Sequence, residues 1–146
     1  MLDKLRTRSR EESGFTLVEL LVVMLILGIL AAIAIPAFFS QRDKAKDADA
    51  KAQANSAQTA IESYATDNNG SYVGATKAKL QAIEPTIKST LAEPTVTANT
   101  YTVTASSTTG NTFSVTRASN GSVTYPCSSS GGNANAGCPS SNTWNP

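Results

Sequence analysis

The chain has 146 residues, with 12 Lys and Arg against 11 Asp and Glu, a net charge of +1, and no histidine. Lacking histidine, it offers no imidazole acid–base catalysis, no Ser-His-Asp triad and no His-ligated metal site. The balanced charge gives no footprint for specific nucleic-acid binding or for a strongly charged partner, and the length allows one small domain.

Residues 1–14 are polar, with Lys4, Arg6, Arg8 and Arg10 set against Asp3, Glu11 and Glu12. From Leu20 to Phe39 every residue is apolar, counting Gly28 and Pro36. As a helix this run spans roughly 30 Å, enough to cross a bilayer. The chain is therefore expected to pass through a membrane-inserted state. Two features mark the start of the run: the small-residue break Ser13-Gly14 and the carboxylate Glu19. An ordinary secretory signal peptide, cut near Ala32-Ile33-Ala34, needs a shorter apolar region with no acid inside it. A plain anchor leaves Glu19 unexplained. Arg42, Lys44, Lys46 and Lys51 follow the run as densely as basic residues precede it, so counting Lys and Arg gives no orientation.

The stretch Ser13-Gly14-Phe15-Thr16-Leu17-Val18-Glu19-Leu20 resembles the class III signal sequence of type IV pilins and related pseudopilins, and is most similar to type IVa-like major pilins. The likeness rests on the glycine, the phenylalanine, the acid four residues later and the long apolar run behind a basic N-terminus. It implies that prepilin peptidase cuts between Gly14 and Phe15 and methylates the new amine of Phe15. Residues 1–14 would then be a leader, 15–40 the membrane and assembly half of a helix, and 41–146 the globular domain. The resemblance further implies a helical homopolymer at the cell surface, and leaves open motility, adhesion, DNA uptake and electron transport as its use. Assembly machinery with a separate ATPase would build it from subunits waiting in the cytoplasmic membrane.

The physical chemistry of the cut end agrees with that implication. Cleavage would expose an α-amino group with a reference pKa of about 8, largely cationic at neutral pH. An unpaired acid in the membrane costs roughly 2.5–3.5 kcal/mol on insertion scales. A buried amine and carboxylate are each costly alone and tolerable together. Glu19 lies one helical turn from Phe15, and the resemblance implies that it meets the amine of a neighbouring subunit. Glu19 is therefore expected to set the axial register between subunits.

Helical signals continue past the apolar run. Ala50, Ala54, Ala57, Ile61 and Tyr64 are spaced 4, 3, 4 and 3 residues apart, one apolar stripe. Asp47 and Lys51 read as an i,i+4 pair on the other side, with Asp43 and Asp47 on a solvated face. Asp67-Asn68-Asn69-Gly70 is a stop signal. One helix from near Phe15 to about Thr66 would be roughly 75–80 Å long. Its first half is apolar all round and needs lipid or copies of itself, whereas the second half needs only this chain's own domain. Pro36 disfavours helix by about 3 kcal/mol. It should kink the helix, and the resemblance implies that the stretch between Gly28 and Pro36 can melt on assembly.

Beyond the stop, Thr76 to Glu84 reads as a short helix with Leu80 and Ile83 facing inward, ended by Pro85. Tyr101, Val103 and Ala105 then alternate with hydroxyl residues, as do Phe113 and Val115, and Val123 and Tyr125. Turns fall at Thr108-Thr109-Gly110-Asn111 and Ser119-Asn120-Gly121-Ser122. The expectation is three short antiparallel strands in up-and-down order whose apolar face lies on the Ala50–Tyr64 stripe. Asn69-Gly70-Ser71 and Asn120-Gly121-Ser122 also fit the N-glycosylation pattern, but turn chemistry explains both asparagines more simply. The two cysteines, Cys127 and Cys138, have no further Cys or His with which to build a metal site, so they read as a disulfide in an oxidising compartment. Trp144 either covers the loop they close or faces outward.

The fold class expected is α+β: a long N-terminal helix on a small antiparallel meander of three to four strands, with a disulfide-bounded C-terminal loop. This is also the order of elements in pilins. No P-loop, dinucleotide glycine pattern or catalytic constellation is present, and no cofactor or metal is expected. The functional expectation is a structural subunit of a type IV pilus filament and not an enzyme. A rival is a pseudopilin of a type II secretion or competence system, because Ser63–Val73, SYATDNNGSYV, is similar to a stretch of the major secretion pseudopilins. Those proteins typically carry a C-terminal calcium site and generally lack the disulfide, whereas here no acid follows Glu93. A rival of another class is a monomeric membrane-anchored binding module that uses the hydroxyl-rich sheet.

Overall fold

The computed structural model describes residues 14–129 and 137–144. Residues 1–13, Ser13 included and all of the expected leader but Gly14, lie outside them. The chain divides into two compact units, Met1–Phe38 and Phe39–Pro146.

Helix α1, Leu17–Asp67, has 51 residues and is assigned without a break through Gly28 and Pro36. In the first unit, all described residues are exposed. An apolar helix surface left open in this way is what lipid or sister helices cover.

The second unit holds the core. Ala50, Ala54, Ala57, Ile61 and Tyr64 are all buried, as the stripe predicts. They meet the inner face of the sheet, chiefly Tyr101, Val103, Ala105, Phe113 and Val115. Alanine on the helix lets the sheet approach closely, so few large side chains suffice to fill the space. The helix ends at the expected stop: Asn69 and Gly70 take positive φ of 55° and 82°, and the Gly70 N–H donates to Ala65 O at 2.8 Å. The short helix α2, Lys77–Ile83, is N-capped by Thr76 and buries Leu80. Ile83, expected to face inward, is exposed. The seven-residue helix presents only one residue per turn to the core, and Leu80 fills that place.

The sheet has five strands rather than three: β1 Thr95–Val96, β2 Tyr101–Ser106, β3 Thr112–Arg117, β4 Val123–Thr124 and β5 Cys127–Ser128. The order is β1-β2-β3-β4, all antiparallel, with β5 also pairing β3. Register places Val103 opposite Val115 and Ala105 opposite Phe113 on the inner face. On the outer face Thr102 meets Thr116 at 3.1 Å and Thr104 meets Ser114 at 2.8 Å, hydroxyl to hydroxyl. Pro126 has no N–H to give the ladder, so it splits the final strand into β4 and β5. The ladder survives the interruption because the Ser114 N–H donates to Pro126 O at 2.9 Å. The predicted turns are both present, with Gly110 and Gly121 at positive φ. The architecture is therefore the α+β class expected, with a disulfide that joins Cys127 in β5 to Cys138.

Candidate functional site

The N-terminal edge of α1 is built from its own sequence. Thr16 is the capping residue: its Oγ1 accepts the Glu19 N–H at 3.2 Å and its carbonyl accepts the Leu20 N–H at 3.1 Å. Thr16-Leu17-Val18-Glu19 is thus the Ser/Thr-x-x-Glu spacing of a capping box, with an acid in the first turn where the helix dipole favours one. The sequence reading took Glu19 only as an assembly residue. The spacing that reveals its local role was present in the chain. Phe15 and Glu19 are both exposed. Gly14 and Gly28 have nothing within 4 Å of where a Cβ would stand, so packing within the chain does not call for glycine at either place.

Every large apolar side chain from Phe15 to Phe39 is exposed. Burying a Leu, Ile or Phe is worth roughly 1.5–3 kcal/mol each, so this surface far exceeds a soluble protein's tolerance for open apolar patches. The helix is long and apolar enough to cross a membrane, and among the described residues none of its most apolar 18-residue window is buried.

Two carboxylates farther along α1, Asp47 and Glu62, each gather several partners from the strands and loops of their own domain. Asp47 is fully buried. It accepts from Thr109 Oγ1 at 2.5 Å and from Asn111 Nδ2 at 2.7 Å, clamping the β2–β3 turn. This corrects both expectations for Asp47: it is not on a solvated face, and it does not pair with Lys51. Lys51 instead lies over the Phe113 ring at 5.2 Å. Asp47 stands three residues before Ala50, so the 3-and-4 stripe simply extends one step further than was read. Asp43 remains at the surface, 3.4 Å from Lys46.

Glu62 is the second carboxylate. Tyr72 donates to Oε2 at 2.8 Å, Tyr101 donates to Oε1 at 3.0 Å, and Arg117 lies 3.4 Å from Oε1. The two phenol rings meet edge to face at 4.9 Å. Burial is the main cause that pushes both tyrosines above the ordinary phenol range, reinforced by the hydrogen bond to Glu62 and its charge. Arg117 opposes the shift. Glu84, capping the end of α2, is held below the usual carboxylate range because it accepts from the Thr86 hydroxyl and N–H. No sequence spacing announced the Glu62 cluster, because its partners come from three separate strands and loops.

Trp144 is buried, settling the two alternatives for it. Its Nε1 donates to Ser114 O at 3.1 Å, and its ring meets Phe113 and Tyr125 edge to face. It pins the tail that follows Cys138 back onto β3. Among the described residues no group of three or more Asp, Glu, Cys or His is placed to hold a metal ion.

The family model described as the prokaryotic N-terminal methylation motif matches residues 9–35. The chain is type IV pilin-like. It is 46% identical over 59 residues to a type II secretion system core protein G of Pseudomonas aeruginosa, covering 40% of this chain and 42% of that protein. It is 45% identical over 60 residues to the type IV wide pilus major component PilA4 of Thermus thermophilus, covering 41% and 46% respectively. It is 43% identical over 56 residues to the type IV major pilin protein PilA of Myxococcus xanthus, covering 38% and 26%. The pilin-like chain thus spans less than half the length of these curated relatives. No solved structure matches it.

Proposed function

We propose that this pilin-like chain is the structural subunit of a type IV pilus filament. Residues 1–14 are a cytoplasmic leader removed by prepilin peptidase between Gly14 and Phe15, and the Phe15 amine is methylated. Residues 15–40 anchor the precursor in the cytoplasmic membrane and then pack against sister segments, while 41–146 form the exposed body of an extracellular filament. A separate ATP-driven machine supplies the work of extraction. The observation that carries this reading is the apolar helix of residues 17–39, whose large apolar side chains are all exposed among the described residues, in a chain whose second unit has its own core. Such a helix leaves lipid only when other copies replace the lipid. Glu19 then pairs with a neighbour's amine and sets the stagger, and the Gly28–Pro36 stretch is the part of the helix that extends on packing.

The intact mass of the mature protein tests the reading. The expected mass lacks Met1–Gly14, gains one methyl and loses two hydrogens for the disulfide. Electron microscopy of sheared surface fibres should reveal long filaments of this subunit. An uncut chain found only as a monomer overturns the proposal and favours the membrane-anchored binding module.

A second reading, the core pseudopilin of a type II secretion system, is favoured by the relatives that carry that name, at 46% and 39% identity. The Cys127–Cys138 disulfide and the absence of any acid after Glu93 weigh against it. A calcium requirement for folding, measured by unfolding with and without chelator, would reverse that preference.

A further inference from the structure

Just past the apolar run, α1 turns one side into the wall of a groove. Arg42, Lys46 and Asp49 line it from the helix, Lys88 and Thr90 from the facing loop and Ser106 from the end of β2, around about 450 Å³. The far wall is fastened in place. Gln53 Nε2 donates to Thr86 O at 3.3 Å, and Gln53 Oε1 accepts the Lys88 N–H at 2.8 Å. Lys88 Nζ reaches both oxygens of Asp49, at 2.9 and 2.7 Å. The groove therefore exists before any ligand arrives.

Its charge is unbalanced. Three cations and one carboxylate line it, a net of +2. Asp49 is taken by Lys88, and Lys46 has only a long 3.4 Å contact to Asp43. Among the described residues Arg42 has no ion-pair partner. Arg42 and Lys46 are one helical turn apart, a spacing of about 5–6 Å between Cβ atoms that lets both reach one anion. Surface ion pairs are worth about 1 kcal/mol or less, and Lys46–Asp43 is only half-buried with a long 3.4 Å contact, so an incoming anion can displace the acid.

The position in the chain identifies the anion. Arg42 follows Phe39, the last residue of the apolar run, by three residues. With that run in a bilayer, the groove's helical wall begins at headgroup level, where juxtamembrane Lys and Arg contribute about 1 kcal/mol each toward anionic lipid. We propose that this groove binds the phosphate of an anionic phospholipid headgroup. The proposal rests on the membrane-inserted precursor described above. Lipid held there would orient the subunit's domain on the membrane before assembly.

The test uses the full-length chain in a zwitterionic detergent, titrated with phosphatidylglycerol and followed by native mass spectrometry. Saturable binding is expected, with phosphatidylcholine far weaker. The Arg42→Gln/Lys46→Gln double variant should bind about thirtyfold more weakly, roughly fivefold for each cation removed. Lys77→Gln, outside the groove, should bind as the parent does, and unchanged thermal unfolding of the variants should confirm that the fold is intact. Parallel titration with inorganic phosphate separates the sources: lipid well above phosphate assigns the headgroup, and equal affinity overturns the lipid assignment. Undiminished lipid binding by the double variant, or no saturable binding at all, overturns the site. Because binding is read in detergent and phosphate in solution, failure here is distinguishable from failure of the filament reading, which the mature mass decides.

Discussion

Gly137 sits directly on the carboxylate of Asp47: a Cβ at Gly137 would stand 2.6 Å from Asp47 Cβ and 2.8 Å from its Oδ2. The same side chain accepts from Thr109 and Asn111 in the β2–β3 turn, so Asp47 fastens the helix to the turn while Gly137 packs against it. The helix, the turn and the end of the disulfide-bounded loop converge on one buried acid. Gly137→Ala should cost about 1–3 kcal/mol, because the added methyl has no room and the neighbour is held from the other side. Asp47→Ala should cost about 3 kcal/mol, leaving Thr109 and Asn111 without their charged acceptor. Urea unfolding of the full chain in detergent, followed by the fluorescence of the single tryptophan, Trp144, checks both. A loss under about 0.5 kcal/mol for either variant would deny Asp47 that role.

The Glu62 cluster predicts an alkaline limit. Tyr72 and Tyr101 both have folded pKa values above the ordinary 10.0. The folded state therefore holds protons that the unfolded state releases. Stability from these two phenols is complete below pH 10 and is lost as pH climbs through the folded values. Ultraviolet titration should find Tyr72 and Tyr101 ionising above the ordinary phenol range while the fold persists, Tyr101 the more strongly held of the two. Tyr101→Phe should cost about 1 kcal/mol at neutral pH, since Glu62 is partly solvated, and should shallow the alkaline decline. Ordinary titration of both phenols in the native protein would refute this account.

What was legible in the sequence follows from how local its cause is. The apolar run, the alanine stripe, the stop at Asn69-Gly70 and the two hairpin turns depend on neighbours within a few residues, and the structure has each of them. The fifth strand was hidden because Pro126 reads as an end, whereas its carbonyl still serves the ladder. Strand β1 is only two residues long, too short to establish an alternation. Asp47 was misread because an acid inside an apolar stripe looks like the edge of the stripe. Its true acceptor role depends on Thr109 and Asn111, more than sixty positions away. The Glu62 cluster is non-local in the same way. At the N-terminus the opposite happened: a resemblance drew attention to Glu19 as an assembly residue and passed over the cap, in which Thr16 Oγ1 accepts the Glu19 N–H.

The disulfide should matter more here than loop entropy alone suggests. Cys127 and Cys138 are 11 residues apart, and such a closure is worth about 2–3 kcal/mol in the chain-entropy model. Cys138 also adjoins Gly137, and the tail beyond it carries Trp144 into the core. Reduction should therefore loosen the Asp47 contact and expose Trp144 together. The expected readout is a red shift in tryptophan emission on reduction, coincident with the drop in stability. A blue emission maximum retained after reduction would mean that Trp144 holds the tail without the bridge.

Glu19 has two candidate roles, and one substitution separates them. Its backbone N–H donates to Thr16 Oγ1, a bond that any residue at the position keeps. Glu19→Gln therefore preserves the cap while removing the charge. If Glu19 serves only to start the helix, Glu19→Gln assembles normally. Thr16→Ala, which forfeits about 0.5–2 kcal/mol of capping, would then be the damaging change. The proposed registration role predicts the reverse. Glu19→Gln should insert and be processed at normal mass, yet yield of sheared filaments should fall at least about tenfold, because no carboxylate meets the neighbour's amine. Thr16→Ala should still assemble, since sister helices hold the first turn once packed. Filament yield from the two variants, normalised to processed subunit, decides between capping and register.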